Sequence, residues 1–337
     1  MTMSAASSDA IPQIKTDYLP LLLPVILSAL ALPLIGNPVT WMTLTVAALA
    51  MGMMIFVIAS GLTLVFGLMD VLNFGHGAFI AVGAYLAMTV LGPLAGWTQA
   101  DSLMLNLAAL GLAALVAAFG TGVLGFAFER VIVKPVYGQH LKQILITMGG
   151  LIIAEQLIHV VWGGDQKAMA LPTALRGAIT VGDFAFEKFR LLAVAVGLVV
   201  FAGMMLVLNR TKIGLLIRAG VENAEMVEAL GYRVRRLFVG VFVAGSALAG
   251  LGGVLWALYK ETLTAAIGGD VMVLVFIVII IGGLGSVGGC FLGAILVAMT
   301  ANYIAFLAPK VALASNILLM VAILMWRPQG LYAVAKR

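Results

Sequence analysis

One cysteine, three histidines and a charged fraction of 10% leave these 337 residues with little of what most protein chemistry uses. Cys290 alone rules out an internal disulfide and, without partners, a cysteine-based metal site. His76, His140 and His159 are scattered, which argues against metal ligation by this chain. A soluble domain is about one quarter charged, so the scarcity of charge excludes that class. There is no G-x-x-x-x-G-K-[ST] run, hence no nucleotide hydrolysis by the P-loop route, and no recognisable Ser/His/Asp or H-E-x-x-H arrangement. Alternating ten-residue segments are missing as well, which excludes an outer-membrane barrel.

What the chain has in abundance is apolar length. It is 63% hydrophobic with a mean hydropathy of +1.17. Long apolar runs with short polar gaps predict an all-α polytopic membrane protein, a bundle of about ten transmembrane helices. The expected spans are 18–36, 41–69, 75–92, 103–128, 142–162, 189–208, 235–259, 270–285, 287–308 and 310–326. Residues 1–17 read as a polar tail, 18–326 as a single transmembrane domain that includes loop 209–236, and 327–337 as a second tail. Ala29-Leu30-Ala31 resembles a cleavage site, but the basic segment before it is weak and the apolar stretch long, so the first helix is expected to be retained. Cations gather in loops 129–143 and 209–236 and in the tail at Arg327, Lys336 and Arg337, whereas 163–188 balances its charges. With ten spans all these segments lie on one side, so both termini are expected in the cytoplasm and the net charge of +5 reflects membrane orientation, not nucleic acid.

Two places interrupt the apolar pattern. Span 41–69 is long for about 30 Å of hydrocarbon, and it runs into Asp70 and Asn73-Phe74-Gly75-His76-Gly77. Span 270–285 ends in a second glycine-rich stretch containing Gly285, Gly288 and Gly289. Such breaks are tolerated where backbone is shielded by protein or lines a cavity. Gly75 and Gly77 are expected to permit a tight turn, with Asn73 and His76 satisfying the freed backbone groups. Gly245, Ala249 and Gly253 form a small-residue ladder suited to close helix packing, and Gly285, Gly289 and Gly293 suit either packing or a path-lining break. A similarity between 75–87 and 288–300 hints at a repeat without fixing its symmetry; no clear inverted repeat is legible.

Ionisable groups inside spans are expensive and therefore informative. Asp70, Asn73 and His76 cluster at the first break, and Glu155 and His159 lie four apart on one helical face. They are candidates for a polar strip along a solute path; the bland alternatives are a satisfied loop histidine and a structural Glu155–His159 pair. The long polar interruption 209–236 holds six of the nineteen Lys and Arg residues and a row of acids at Glu222, Glu225 and Glu228. A short helix is expected over 221–230, with Val221, Ala224, Val227 and Ala229 on its apolar side, and this loop is a candidate docking surface for a soluble partner.

Several motifs occur together in a fixed order. They are Gly61-Leu62-Thr63-Leu64-Val65-Phe66-Gly67 leading to Leu72-Asn73-Phe74-Gly75-His76-Gly77; Lys134-Pro135-Val136-Tyr137-Gly138 with Ile146-Thr147-Met148-Gly149; Gly214 through Ile217-Arg218-Ala219 with Leu230-Gly231; Gly282-Gly283-Leu284-Gly285-Ser286-Val287-Gly288-Gly289; and Arg327-Pro328-Gln329-Gly330-Leu331. In this order, over about residues 41–332, the chain resembles the permease subunits of ATP-binding-cassette importers for branched-chain amino acids, and its first break is more like the first permease type than its sister, which tends toward Ser-Leu-Gly-His. The resemblance implies a multi-pass protein of the bacterial inner membrane that works with a second related permease, two ATP-binding subunits and a periplasmic solute-binding protein. It implies no cofactor on this chain, with ATP and Mg on the partner ATPases. It implies that 209–236 couples to the ATPase through Gly214, Arg218, Glu222, Ala224, Glu225, Glu228 and Gly231. Glu155 and His159 stand where the family more often has an uncharged amide and a variable residue, so the solute is left open among aliphatic amino acids, urea, short amides and aromatic acids. An ATPase-independent secondary transporter or channel, and a structural subunit without a path, remain competing classes.

Overall fold

The computed structural model describes residues 19–332 apart from residue 223, with the side chains of residues 221, 222, 224 and 313 also outside the description. The expected tail 1–17 and the last part of the expected tail 327–337, residues 333–337 with Lys336 and Arg337, lie outside the described residues, as do the side chains of Glu222 and Ala224. Helices dominate: α1 (Leu19–Ile35), α2 (Pro38–Met69), α3 (His76–Leu91), a short α4 (Ala95–Thr98), α5 (Leu103–Phe128), α6 (His140–Trp162), α7 (Lys188–Arg210), α8 (Lys212–Glu222), α9 (Ala224–Ala229), α10 (Val234–Lys260), α11 (Ile267–Gly282), α12 (Val287–Leu307) and α13 (Ala312–Trp326). Among the described residues, six helical stretches are long and apolar enough to cross a membrane and four more are shorter and apolar, so each expected span has its helix. The chain is a multi-pass membrane protein.

Boundaries follow local chemistry. Asn37 caps α2, its side chain accepting from Val39 N at 2.9 Å and Thr40 N at 3.2 Å, and Pro38 takes the first helical position, where its missing N–H is harmless. Ser286 caps α12 by accepting from Gly289 N at 3.1 Å. α5 does not stop at Phe128: a π-helical turn, Glu129–Val133, and a 3-10 turn, Lys134–Val136, prolong it. α11 starts three residues before the expected 270, because the Thr264 carbonyl accepts from Ile267 N, and it ends where Gly283 takes φ 97°.

α2 and α10 form the centre. Their backbones meet at Gly61 and Gly245, where a Cβ on either would strike the other's backbone, and Gly253 does the same against Ile80 of α3. The ladder of Gly245, Ala249 and Gly253 is a packing seam. α6 and α7, by contrast, present mostly exposed apolar side chains.

The architecture contains an inverted pair that the sequence reading did not find. α2 ends at Asp70, residues 70–75 return into the bundle, and α3 runs for 16 residues. α10 ends at Glu261, residues 261–266 return, and α11 runs for 16 residues. Asp70 (φ 51°) and Glu261 (φ 54°) are the only non-glycine residues with left-handed backbone among those described. Asp70, Leu72 and Gly77 fall in the same register as Glu261, Leu263 and Gly268. The two half-helices begin against each other, since Gly77 and Gly268 are in backbone contact. They run apart in opposite directions, because the Phe74 ring lies 4.6 Å from the Phe276 ring, well along α11, while Gly77 meets Gly268 at its start. His76 reaches the Ile58 carbonyl, midway along α2, so the meeting point lies in the middle of the bundle. The partner of α3 is thus α11, and the similarity between 75–87 and 288–300 does not mark the repeat.

Two small antiparallel pairings complete the described fold: β1 (Lys167–Ala168) with β4 (Thr262–Leu263), and the hairpin of β2 (Ala178–Val181) and β3 (Phe184–Glu187). Near the end of the chain, Leu331 N donates to Ile281 O at 2.8 Å and Tyr332 N to Gly282 O at 3.0 Å. Gly330, at φ 82°, sits against Gly283.

Candidate functional site

The first return segment separates the residues that the sequence grouped. Asp70 caps α2 at the exposed end and lies 3.9 Å from His140 Nε2, an exposed pair. Asn73 is fully buried, and neither its Oδ1 nor its Nδ2 has a partner among the described residues. His76 is also buried; its Nε2 donates to Ile58 O at 3.0 Å, and its Nδ1 is unpartnered among the described residues. The segment's backbone is satisfied by other means. Phe74 N donates to Thr147 Oγ1 at 3.2 Å, His76 N to Asn73 O and Ala78 N to Gly75 O.

Glycine serves approach here, not turning. Gly75 has an ordinary right-handed φ of −66° and Gly77 lies inside α3. A Cβ on Gly75 would collide with the Phe128 ring, and one on Gly77 would sit 3.1 Å from the Gly268 carbonyl. At the second glycine stretch, Gly283 and Gly285 take positive φ and Gly285 touches Gly67. Gly288 and Gly289 are in the first turn of α12, where Gly289 abuts the Gly282 carbonyl and Gly288 faces open space.

Glu155, half-buried on α6, comes to the start of α11: its Oε1 lies 3.4 Å from where a Gly269 Cβ would be. Asp270, exposed in the first turn of α11, acts on it electrostatically, as does the exposed His159. No Glu155–His159 ion pair within 4.0 Å occurs among the described residues. Asp270 was not singled out from sequence; it stood at an expected helix end, far along the chain from Glu155.

A second buried polar group escaped notice. Glu129 is fully buried, and its Oε1 accepts from Tyr137 Oη at 2.7 Å while its Oε2 has no partner among the described residues. Burial, then the Glu129 hydrogen bond, hold the Tyr137 phenol well above its ordinary range, so it stays a donor. Gln143 Nε2 donates to Val136 O at 3.1 Å, and Thr147 donates to Gln143 O at 2.7 Å. This chain of bonds runs from the end of α5 to the first return segment.

The interruption 209–236 folds as two helices, α8 and α9, in place of the single helix expected over 221–230. Gly214 lets α8 fold tightly onto Leu208, Arg218 Nη1 donates to Asn209 Oδ1 at 3.4 Å, and Gly231 takes φ 87° to turn into α10. Val227 is buried; Glu225, Glu228 and Ala229 are exposed. Between α8, α9 and the start of α10 lies an open groove of about 480 Å³, lined by Leu216, Val227, Tyr232, Arg233, Arg236 and their neighbours. No group of three or more acidic, histidine or cysteine side chains suited to a metal occurs among the described residues.

Comparison with known proteins agrees with this architecture. Residues 44–326 match the family model described as "Branched-chain amino acid transport system / permease component". The chain is 29% identical over 294 residues to the high-affinity branched-chain amino acid transport system permease protein BraD of Pseudomonas aeruginosa, covering 85% of this chain and 94% of BraD. It is 26% identical over 282 residues to LivH of Escherichia coli, covering 81% and 89%, and 27% identical over 324 residues to LivM of the same organism, covering 87% and 71%. No solved structure matches. A family match across most of the chain, on a helical bundle with paired mid-bundle breaks, assigns it: the protein belongs to the branched-chain amino acid transport system permease component family.

Proposed function

We propose that this chain is a permease subunit of an ATP-binding-cassette importer that passes branched-chain or other aliphatic amino acids inward. The observation that carries the reading is the meeting of two half-helices at Gly77 and Gly268, with polar groups beside it at Asn73, His76, Glu155 and Asp270. Discontinuous helices at mid-depth place backbone dipoles and polar side chains where a small polar solute crosses. Carboxylates at Glu155 and Asp270 suit the ammonium group of an amino acid, and they cannot face lipid without large cost. The face of α6 that carries Glu155 and His159 therefore turns toward a second, related permease, in keeping with the fact that relatives named LivH and LivM both resemble this chain.

The end bearing loops 129–143 and 209–236 is cytoplasmic in this reading, with both termini, in a bacterial inner membrane. α8 and α9 seat on an ATP-binding subunit: Glu225 and Glu228 meet its basic groups, and Gly214, Arg218 and Gly231 hold the two short helices in place. The same reading assigns Glu222 and Ala224, whose side chains lie outside the described residues, to coupling with that subunit. ATP and Mg are handled by two such subunits, a solute-binding protein delivers solute at the opposite face, and this chain binds no cofactor.

The deciding experiment is purification with co-expressed neighbours, followed by ATPase and uptake assays with the binding protein and a panel of amino acids, urea and short amides. Aliphatic amino acids alone should stimulate hydrolysis; stimulation by urea or amides instead would reassign the solute. Ala224→Trp with Glu225→Arg should lower ATPase copurification and stimulated hydrolysis together, and wild-type values for both would remove 209–236 as the coupling element. The inverted pair of breaks also suits a secondary transporter; uptake by the permease without ATPase subunits, abolished by a protonophore, would establish that class.

A further inference from the structure

The two return segments are fastened differently, and the fastening of the second has no counterpart in the first. Loop 163–187 lies over the end of the bundle opposite the cation-rich loops. Its far part is anchored by Asn106, which accepts from Ala174 N at 2.8 Å and donates to the carbonyls of Trp97 and Ala100 at 2.7 and 3.0 Å. Its near part carries β1, which pairs with β4 through Lys167 opposite Leu263 and Ala168 opposite Thr262. Met169 N adds a bond to the Glu261 carbonyl at 3.0 Å. Met169 and Leu263 are buried beneath this clasp, while Ala168 and Thr262 are exposed above it.

The clasp grips the residues that lead into the middle of the bundle. Glu261 holds a left-handed backbone that a non-glycine residue adopts only under constraint. Five residues beyond β4 comes Gly268, in contact with Gly77. A two-stranded ladder this short is marginal by itself, so it can part without unfolding its surroundings. Movement of residues 261–266 requires β1 either to let go or to move with them, and the Asn106 anchor restrains β1.

We propose that the β1–β4 clasp is the outer latch of the path: it holds residues 261–266 over the mid-bundle contact and parts in each transport cycle. The inference rests on the importer reading for the direction of traffic. Lys167–Met169 is then a positioning element, acting on the path through Glu261–Leu263, and loop 163–187 is the handle by which events at the external face reach α11.

Ala168→Cys with Thr262→Cys tests the latch. The pair sits directly opposite in an antiparallel ladder, where Cα atoms are about 4.5–5.5 Å apart, within disulfide range. The single native cysteine, Cys290, is fully buried and leaves a clean background. In proteoliposomes with ATPase subunits and binding protein, oxidation should lower uptake at least tenfold and reduction should restore it. Each single-cysteine variant should be indifferent to oxidant, and basal ATP hydrolysis should continue in the oxidised form. A fully crosslinked protein, verified by its gel shift, that still transports at the reduced rate overturns the latch. If the double variant does not assemble, hydrogen exchange on the unmodified complex decides: the Met169 amide should lose protection during turnover, and unchanged protection overturns the proposal. Failure of the importer reading shows separately, as absent ATP-driven uptake in the unmodified complex. Exchange at Met169 on adding solute then still tests the latch.

Discussion

The two return segments share a backbone plan and differ in nearly everything else. Each follows a long helix, begins with an acidic residue in left-handed conformation and leads to a half-helix of 16 residues. Residues 70–75 are buried at Asn73 and tied by a side chain, Thr147, to α6. Residues 261–266 are exposed at Thr264 and Ala266 and tied by backbone to a loop. One break is thus locked within the bundle and the other is held from outside it. Symmetry of the chain path supplies the scaffold, and the fastenings make its two ends unequal.

The strongest way to break this comparison is at its point of contact. A Cβ at Gly268 would run into the Gly77 carbonyl oxygen, with backbone that cannot step aside. A Cβ at Gly77 meets its nearest atoms at 3.1 Å, one of them the movable Leu151 side chain. Gly268→Ala should therefore lower stability by about 3 kcal/mol or more and abolish uptake, while Gly77→Ala should cost about 1 kcal/mol and Gly77→Val should abolish transport. Thermal unfolding in detergent with uptake in proteoliposomes checks the order; equal effects of the two alanines would remove the asymmetry.

Asn73 offers a sharper test, because fold and function should move in opposite directions. Leucine of similar size removes two buried polar atoms without partners, which should raise stability by about 1–2 kcal/mol. If Asn73 serves the path, Asn73→Leu should nonetheless lower uptake severalfold. Loss of both stability and uptake would instead make it a structural residue. Thr147→Val should cost about 1–2 kcal/mol by leaving the Phe74 amide without its acceptor, and it should loosen 70–75 while leaving exchange at Met169 unchanged. The smallest effect on stability is expected at Glu155: with no close ion pair to His159, Glu155→Gln should stay within about 0.5 kcal/mol while altering the solute profile. A Glu155–His159 double-mutant cycle should show coupling under about 0.5 kcal/mol; larger coupling would restore the structural pair.

Long apolar runs made the ten helices legible, since water cannot satisfy a backbone in hydrocarbon and the pattern admits few alternatives. The inverted pair was not, because its signature is conformational. Leu72 with Leu263 and Gly77 with Gly268 are too few identities to stand out, and the helices that precede the two breaks differ in length, 32 residues against 27. The same limit applies to side-chain neighbours. Glu129 reads as one more charge in a cation-rich loop until the π-helical turn shows that the helix continues and turns it inward. Gly75 and Gly77 read as turn glycines because φ and close approach leave the same mark on a sequence. The Asp70, Asn73 and His76 cluster is contiguous in the chain, yet an extended segment spreads it from the surface to the middle of the bundle.

The tail bonds at Leu331 and Tyr332 bear on how such a chain is made. Ile281 and Gly282 close α11, and among the described residues their carbonyls find donors in Leu331 and Tyr332, some fifty positions later in the chain. Until those positions are made, the half-helix meeting Gly77 carries two open carbonyls at its C-terminal end. A variant shortened before Gly330 would keep them open and would also lose the residue that sits against Gly283. Closing α11 is thus a late event in the synthesis of the chain: a half-helix made early waits for a segment about fifty residues further on.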